Sequence, residues 1–168
     1  AGDFDVTDNF RRVMGTRRAT IHFIGVWDTV ASIIVPGWRK WTLATLEHLP
    51  YTQRNPSVAH FRQALSIDER RRLFRARLWR EPQEFILNPF HFGPHKPQSI
   101  KQVWFAGSHG DVGGGHVEEK SGSSKFALIW MIEEAINKGL PVRPQSFNRI
   151  ARGERYDGDT RRYAAPDA

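Results

Sequence analysis

The sequence predicts an α/β domain with few, predominantly parallel strands and flanking helices. Two short runs, 20–26 and 103–105, are rich in β-branched or aromatic residues and are typical of buried strands. Between 123 and 138, a broad apolar stripe at helical spacing predicts the clearest helix of the chain. In that helix Glu133 and Glu134 are expected to face outward. These three elements define the α/β class.

The rest of the chain has weaker patterns. Residues 1–18 predict one short helix, and 31–58 predict a loop-rich insertion with a short helix at 41–48. The stretch 58–65 is interpreted as a short helix or turn. Segment 142–168 is rich in Arg, Pro and Gly, and we expect it to be an extended tail.

An arginine-rich segment, 66–80, predicts a basic amphipathic helix. Ser66 and Glu69 have the spacing of a capping box at its start, and Pro82 follows its end. Such a helix can lie on an anionic membrane surface. The arginines expected to contact an anionic surface are Arg70, Arg71, Arg75 and Arg77. A solvated helix face is the commoner role of this pattern.

Composition restricts the class of protein. The 168 residues suffice for one domain with a core, spanning 1–168. A net charge of +7 and an isoelectric point of about 10.2 favour an anionic partner, although no nucleic-acid motif is present and nucleic acid is not expected. The lack of Cys excludes disulfides, thiolate metal sites and a Cys nucleophile. With no spanning run or signal-peptide pattern, we expect a soluble chain, cytoplasmic or delivered by non-classical secretion.

A candidate acid–base pair follows the two predicted strands. Asp28 comes just after 20–26, and His109 comes after 103–105 in a glycine-rich turn. If the strands are parallel neighbours, both side chains emerge at one sheet edge, where ligands and catalytic groups collect. An Asp that orients a His forms two-thirds of a hydrolase triad. The structural alternative is a turn whose polar side chains satisfy local backbone groups.

The nucleophile of such a triad is missing from the sequence. No G-x-S-x-G motif occurs, and Ser108 lies directly beside His109, where its side chain is poorly placed to meet the imidazole. A serine upstream of Ala1 in a longer parent protein is therefore required by the hydrolase hypothesis.

Four ordered motifs over roughly residues 20–140 resemble the catalytic domain of type VI secretion phospholipase effectors, part of a broader α/β-hydrolase-like family. The motifs are Val26-Trp27-Asp28-Thr29-Val30, then Ala64-Leu65-Ser66-Ile67-Asp68-Glu69-Arg70-Arg71, then Val103 to Gly115, and then Trp130-Met131-Ile132-Glu133-Glu134-Ala135. The resemblance implies that Asp28 is the triad acid and His109 the base, acting on an ester of a lipid or a similar substrate. Because the family's serine elbow is absent, the chain is similar to the C-terminal part of that domain.

The resemblance carries further expectations. We expect no cofactor and no metal ion, and an immunity or delivery protein as a partner. The family usually has His where this chain has Gln63. Asp111 is expected to make a local Asx-type bond, although it could compete with Asp28 for His109. The run Gly113, Gly114 and Gly115 is expected to supply positive φ angles and close backbone approach.

Two other functions stay open from the residues alone. The first is a catalytically degenerate hydrolase scaffold that binds anionic lipid or a partner protein through its arginine-rich surface. The second is a metal hydrolase, since carboxylates and imidazoles can hold a divalent ion. The ligands of that ion would be Asp28, His109, Asp111 and His116.

Overall fold

The computed structural model describes residues 2–15, 19–30, 32–35, 45–48, 53–71, 74–87 and 95–167. The helices are α1 (Gly2–Met14), α2 (His109–Gly113), α3 (Gly122–Ile136) and α4 (Pro144–Arg152), with a 3₁₀ turn at Glu118–Lys120. The strands are β1 (Ile21–Trp27), β2 (Ser32–Val35), β3 (Thr45–His48), β4 (Val58–Ser66), β5 (Glu84–Phe85), β6 (Lys96–Pro97) and β7 (Ser99–Phe105). None of the helices in this described part is long and apolar enough to cross a membrane.

The main sheet has three parallel strands in the order β1-β4-β7. Its register pairs Phe23 with His60 and Phe61 with Ile100. Helices flank this sheet, so the predicted α/β class is confirmed. Because all three strands run in one direction, their carboxyl ends lie along a single edge.

The central strand β4 contradicts the interpretation of 58–65 as a short helix or turn. Polar residues interrupt its apolar pattern, but they are buried within the fold: Arg62 is 1% exposed and Gln63 is fully buried. Parallel strands that are covered on both faces do not alternate between apolar and polar residues. Arg62 and Gln63 each donate to a group on a distant segment, which no local pattern reveals.

The two faces of β4 contact different parts of the chain. Ala64 packs with Ala127 and Met131 of α3. On the other face, Phe61 stacks on Trp79, with the ring centroids 4.1 Å apart. The sheet is therefore the middle layer between α3 and the segment that carries Trp79.

An ion cluster joins the sheet to α3. Arg62 on β4 donates from Nε to Glu134 at 2.5 Å, and Lys101 on β7 reaches the other oxygen of the same carboxylate, also at 2.5 Å. The guanidinium further donates to the carbonyl of Ser99 at 2.8 Å. Burial disfavours the ionised Glu134, but these cations hold the pKa of its carboxyl below the usual value. The expectation that Glu134 faces outward is therefore wrong.

The basic helix predicted over 66–80 does not form in its described part, 66–71 and 74–80. Trp79 instead donates its backbone N–H to Gln102 Oε1 at 2.7 Å, and its carbonyl accepts from Gln102 Nε2. The carbonyl of Arg77 accepts from Gln63 Nε2 at 2.9 Å. Side chains of the sheet thus bind backbone groups that a helix would have used internally.

Two further expectations are corrected. The short helix at 41–48 is replaced at 45–48 by β3, which pairs antiparallel with β2, while 41–44 lie outside the described residues. Segment 142–168 is not extended throughout, because it contains α4. Pro144 occupies the first turn, where its missing N–H costs nothing, and Gly153 ends the helix at φ 70°.

Candidate active site

Polar residues from all three strands of the sheet meet at its carboxyl edge. Asp28 follows β1, Ser66 ends β4, and His109 begins α2 after β7. The sequence-based expectation of neighbouring strands needs correction, because β4 lies between β1 and β7. The acid and the base therefore approach each other across the end of a third strand.

Asp28 and His109 form a direct hydrogen bond. The imidazole Nδ1 lies 2.8 Å from Asp28 Oδ2. The Asp28 residue is 1% exposed, whereas the His109 side chain is 31% exposed. Because a carboxylate accepts hydrogen bonds, this contact pairs it with the Nδ1–H tautomer of the neutral ring, in which Nε2 is the acceptor nitrogen. This arrangement gives a base that faces solvent and an acid that is shielded from it.

The backbone at Asp28 is in the left-handed region, with φ 38°. Such a conformation is uncommon for a residue with a side chain, and it persists where surrounding bonds impose it. Here the N–H of Asp28 donates to the carbonyl of Ala64 at 2.7 Å. The side chain accepts two bonds from Ser66, from its N–H at 2.9 Å and from its hydroxyl at 2.6 Å.

His109 is also held from the side of the loop after β4. Glu69 Oε2 accepts the backbone N–H of His109 at 3.2 Å. The Phe74 ring lies against the imidazole at a centroid distance of 4.9 Å, and the Arg71 guanidinium lies 4.0 Å over the Phe74 ring. Hydrogen bonds from the Arg71 side chain lower the pKa of Glu69 to about 2. An ionised carboxylate therefore binds the backbone of His109, and a guanidinium lies over the ring that contacts the imidazole.

Asp111 makes the local bonds that the sequence predicts. Its Oδ2 accepts from the N–H of Ser108 at 2.7 Å and from the Ser108 hydroxyl at 2.8 Å. Its Oδ1 lies 2.8 Å from Nε2 of His116. The Ser108 backbone bond is the largest influence lowering the pKa of Asp111, followed by its hydroxyl and then by His116. Asp111 therefore does not compete with Asp28 for His109.

The turn around His109 is more regular than the glycine content indicates, because residues 109–113 form α2. Gly114 caps this helix at φ 80°, and Gly115 donates to the carbonyl of Gly110 at 2.8 Å. A Cβ on Gly115 would lie 3.3 Å from Gly110 Cα, whereas one on Gly113 would meet nothing within 4 Å. The expected positive φ is thus found at Gly114 and the close approach at Gly115.

Neither serine beside the pair is placed as a nucleophile. The Ser66 hydroxyl donates to Asp28 and is buried, and the Ser108 hydroxyl donates to Asp111. Among the described residues, none hydrogen-bonds to Nε2 of His109, the nitrogen that would take a proton from a nucleophile. The described site thus contains a carboxylate paired with a partly exposed imidazole.

The four predicted surface arginines do not share one helix face. Arg71 is bound bidentately by Glu69, with Nη2 to Oε2 at 2.7 Å, and its side chain is 58% exposed. Arg70 and Arg75 are exposed, and Arg77 is half-buried. Of these four, Arg71 is the one that contacts the surroundings of His109 through Phe74.

The residues of the metal hypothesis divide into separate pairs, Asp28 with His109 and Asp111 with His116. Within the described ranges, no group of three or more His, Cys, Asp or Glu side chains could hold a metal ion. Gln63, where the resembling family usually has His, is buried and donates to Thr29 Oγ1 at 3.3 Å and to the carbonyl of Arg77. Through these two bonds, Gln63 connects the loop after β1 to the segment that carries Arg77.

The fold and the site define an α/β catalytic domain with a carboxylate–imidazole pair at the carboxyl edge of a parallel sheet. The family model of the type VI secretion system phospholipase effector Tle1-like catalytic domain matches residues 3–134. The chain belongs to this family, and the resemblance seen in its motifs is confirmed. Neither a curated protein nor a solved structure gives a significant match to the chain.

Sequence reasoning missed three residues of the site: Ser66, Glu69 and Phe74. The spacing of Ser66 and Glu69 predicts a capping box, whereas their side chains bind Asp28 and the N–H of His109. The signal that could have revealed Ser66 is its position at the end of a strand, as for Asp28. That signal was hidden because β4 was not recognised as a strand.

Proposed function

We propose that this chain supplies the acid and the base of a serine-dependent carboxylic-ester hydrolase that acts on phospholipids. Asp28 is the acid, His109 is the base, and the nucleophilic serine lies upstream of Ala1 in the parent protein. The observation that carries the proposal is the 2.8 Å bond between Asp28 Oδ2 and Nδ1 of His109, a residue whose side chain is 31% exposed. The family supplies the substrate class, since it comprises phospholipase effectors.

The reaction follows from the tautomer. Nε2 of His109 takes the hydroxyl proton of the serine while the serine oxygen attacks the ester carbonyl. The imidazolium formed is stabilised by the Asp28 carboxylate, and it then gives its proton to the departing alcohol oxygen. Water, activated by the same imidazole, hydrolyses the acyl-serine and releases the carboxylic acid.

The sheet offers a place for the nucleophile. Among the described strands, β1 has a neighbour on one side alone, which is β4. A further parallel strand along the open side of β1 would bring its carboxyl end to the same edge as Asp28. A serine on the turn after that strand would then lie on the side of the pair away from β7. We therefore place the serine on a strand beside β1 that is formed by residues upstream of Ala1.

Arg71 supports a substrate that carries a phosphate. Its guanidinium lies 4.0 Å over Phe74, whose ring contacts His109 at 4.9 Å, and it is more than half exposed. Glu69 takes the Nε and Nη2 donors on one edge of this guanidinium, so a phosphate would be bound through the remaining N–H groups of its terminal nitrogens. We assign Arg71 to the phosphate of the substrate, and Arg70, Arg75 and Arg77 to weaker attraction of an anionic surface.

The test is hydrolysis of phospholipid vesicles by the parent protein with its upstream serine. His109→Gln should lower kcat by on the order of 10³-fold or more, because a triad member is lost. His116→Gln is the matched control, since His116 directly follows the motif that contains His109 but binds Asp111. Equal activity of His109→Gln and wild type would refute the proposal. Vesicle binding that falls with salt, without hydrolysis by the wild type, would instead identify a degenerate scaffold.

A further inference from the structure

Ser66 directs both of its hydrogen-bond donors at one carboxylate. Its backbone N–H donates to Asp28 Oδ1 at 2.9 Å, and its hydroxyl donates to Asp28 Oδ2 at 2.6 Å. Asp28 Oδ2 also forms a hydrogen bond with Nδ1 of His109 at 2.8 Å. Ser66 is 4% exposed and Asp28 is 1% exposed, so water does not compete for these bonds.

The carboxylate needs such support because of its place in the fold. Asp28 leaves the end of β1 with φ 38°, and β4 separates β1 from the strand that precedes His109. Bonds to both oxygens fix the plane of a carboxylate, whereas a bond to one oxygen leaves rotation about the last side-chain torsion, a soft torsion in Asp. Ser66, at the end of β4, supplies one donor to each oxygen.

We propose that Ser66 is a positioning residue that fixes the Asp28 carboxylate in the plane where Oδ2 meets Nδ1 of His109. This inference rests on the proposed function of the pair. Ser66 does not act as the nucleophile, because its hydroxyl lies on the Asp28 side of the pair and not at Nε2. The role differs from simple packing, since it requires the O–H donor and not the volume of the side chain.

The first experiment measures the hydrogen-bonded Nδ1 proton of His109 by NMR in the present chain. In wild type this proton should give a downfield resonance that exchanges slowly with water. Ser66→Ala removes the O–H donor and should broaden the resonance or speed its exchange, while Ser66→Thr, which keeps a hydroxyl, should restore it. Ser124→Ala is the matched control, because Ser124 is also buried and donates to the carbonyl of Ser121.

A second variant, Ser66→Cys, keeps the proposal testable if Ser66→Ala does not fold. Ser66→Cys keeps a similar volume but is a weak donor, so it should change the resonance as Ser66→Ala does. An unchanged Nδ1 resonance in whichever of these variants folds would overturn the proposal. So would a change of equal size in Ser124→Ala.

The second experiment uses the parent protein with its serine. Ser66→Ala should lower kcat about tenfold with KM unchanged, because a hydrogen bond to a charged group is lost away from the substrate. Ser66→Thr should recover most of the rate. A rise in KM alone would contradict a positioning role. If the Nδ1 resonance responds to Ser66 but His109→Gln keeps full activity, the proposed function fails while the positioning of Asp28 by Ser66 stands.

Discussion

Replacing Asp28 with Asn should force His109 into the wrong tautomer. An amide has one oxygen and one NH₂ group, whereas the native carboxylate accepts at both oxygens. If the NH₂ takes the place of Oδ1, it faces the backbone N–H of Ser66, a donor that cannot change its role. If it takes the place of Oδ2, the Ser66 hydroxyl can rotate to accept, and His109 must accept at Nδ1.

The second orientation is the one that the surroundings can satisfy. It leaves the proton of His109 on Nε2, so that nitrogen can no longer take a proton from serine. The analogous Asp-to-Asn change in a Ser-His-Asp protease lowers kcat by about 10⁴-fold through this loss of the correct tautomer. The N–H and hydroxyl of Ser66 and Nδ1 of His109 all converge on the Asp28 carboxylate. We therefore expect a loss on the order of 10⁴-fold in kcat and little change in KM.

Two measurements check this expectation. Phospholipid hydrolysis by the parent protein gives the rate, and the ¹⁵N shifts of the His109 ring in the present chain give the tautomer. Asp159→Asn is the matched control, because Asp159 binds Arg149 and the N–H of Tyr156 in the C-terminal segment. The reasoning is refuted if folded Asp28→Asn keeps the Nδ1–H tautomer or more than about a tenth of the wild-type rate.

Two changes outside the acid–base pair should alter stability, as measured by urea unfolding. Glu134→Gln should cost about 3 kcal/mol, because Arg62 stays buried without its counter-charge, whereas the exposed control Glu133→Gln should cost under about 0.5 kcal/mol. Because folding lowers the pKa of Glu134, its carboxylate adds to the free energy of unfolding above about pH 4.5, and this contribution should shrink as the pH falls further. A stability difference between wild type and Glu134→Gln that does not change with pH would contradict this. Gly107→Ala should cost about 2 kcal/mol or more, because φ is 107° and the new Cβ would lie 2.6 Å from Asp111 Cβ; a neutral Gly107→Ala would refute the close approach.

The sequence predicts those elements whose own residues determine them. β1 and α3 were recognised because β-branched residues and a helical apolar stripe are local signals. β4 was missed because Arg62 breaks its apolar run. The partner of Arg62, Glu134, lies 72 residues further along the chain. A buried cation is compatible with a central strand only through such a distant contact, and local periodicity carries no information about it.

The same limit applies to the site. Asp28 and His109 could be predicted because each follows a recognisable strand and the family motifs include both. Ser66 and Glu69 share a helix-capping spacing, yet the side chain of each binds a group 38 or 40 residues away. The capping interpretation was physically sound for a helix start. It failed because the backbone at this point is still part of the sheet and its outgoing turn.

The alignment of β4 with both neighbours has a consequence for how such domains diversify. Asp28, Ser66 and His109 lie at or shortly after the ends of β1, β4 and β7. The pairing of Trp27 with Ala64 and of Ser66 with Phe105 sets the spacing of these strand ends. The long connections between these strands take no part in that pairing. Glu69 and Phe74, which contact His109, and Trp79, which packs on β4, hold their part of the connection in place. Elsewhere the connections can change length and composition, so a different substrate can be accommodated without altering this register.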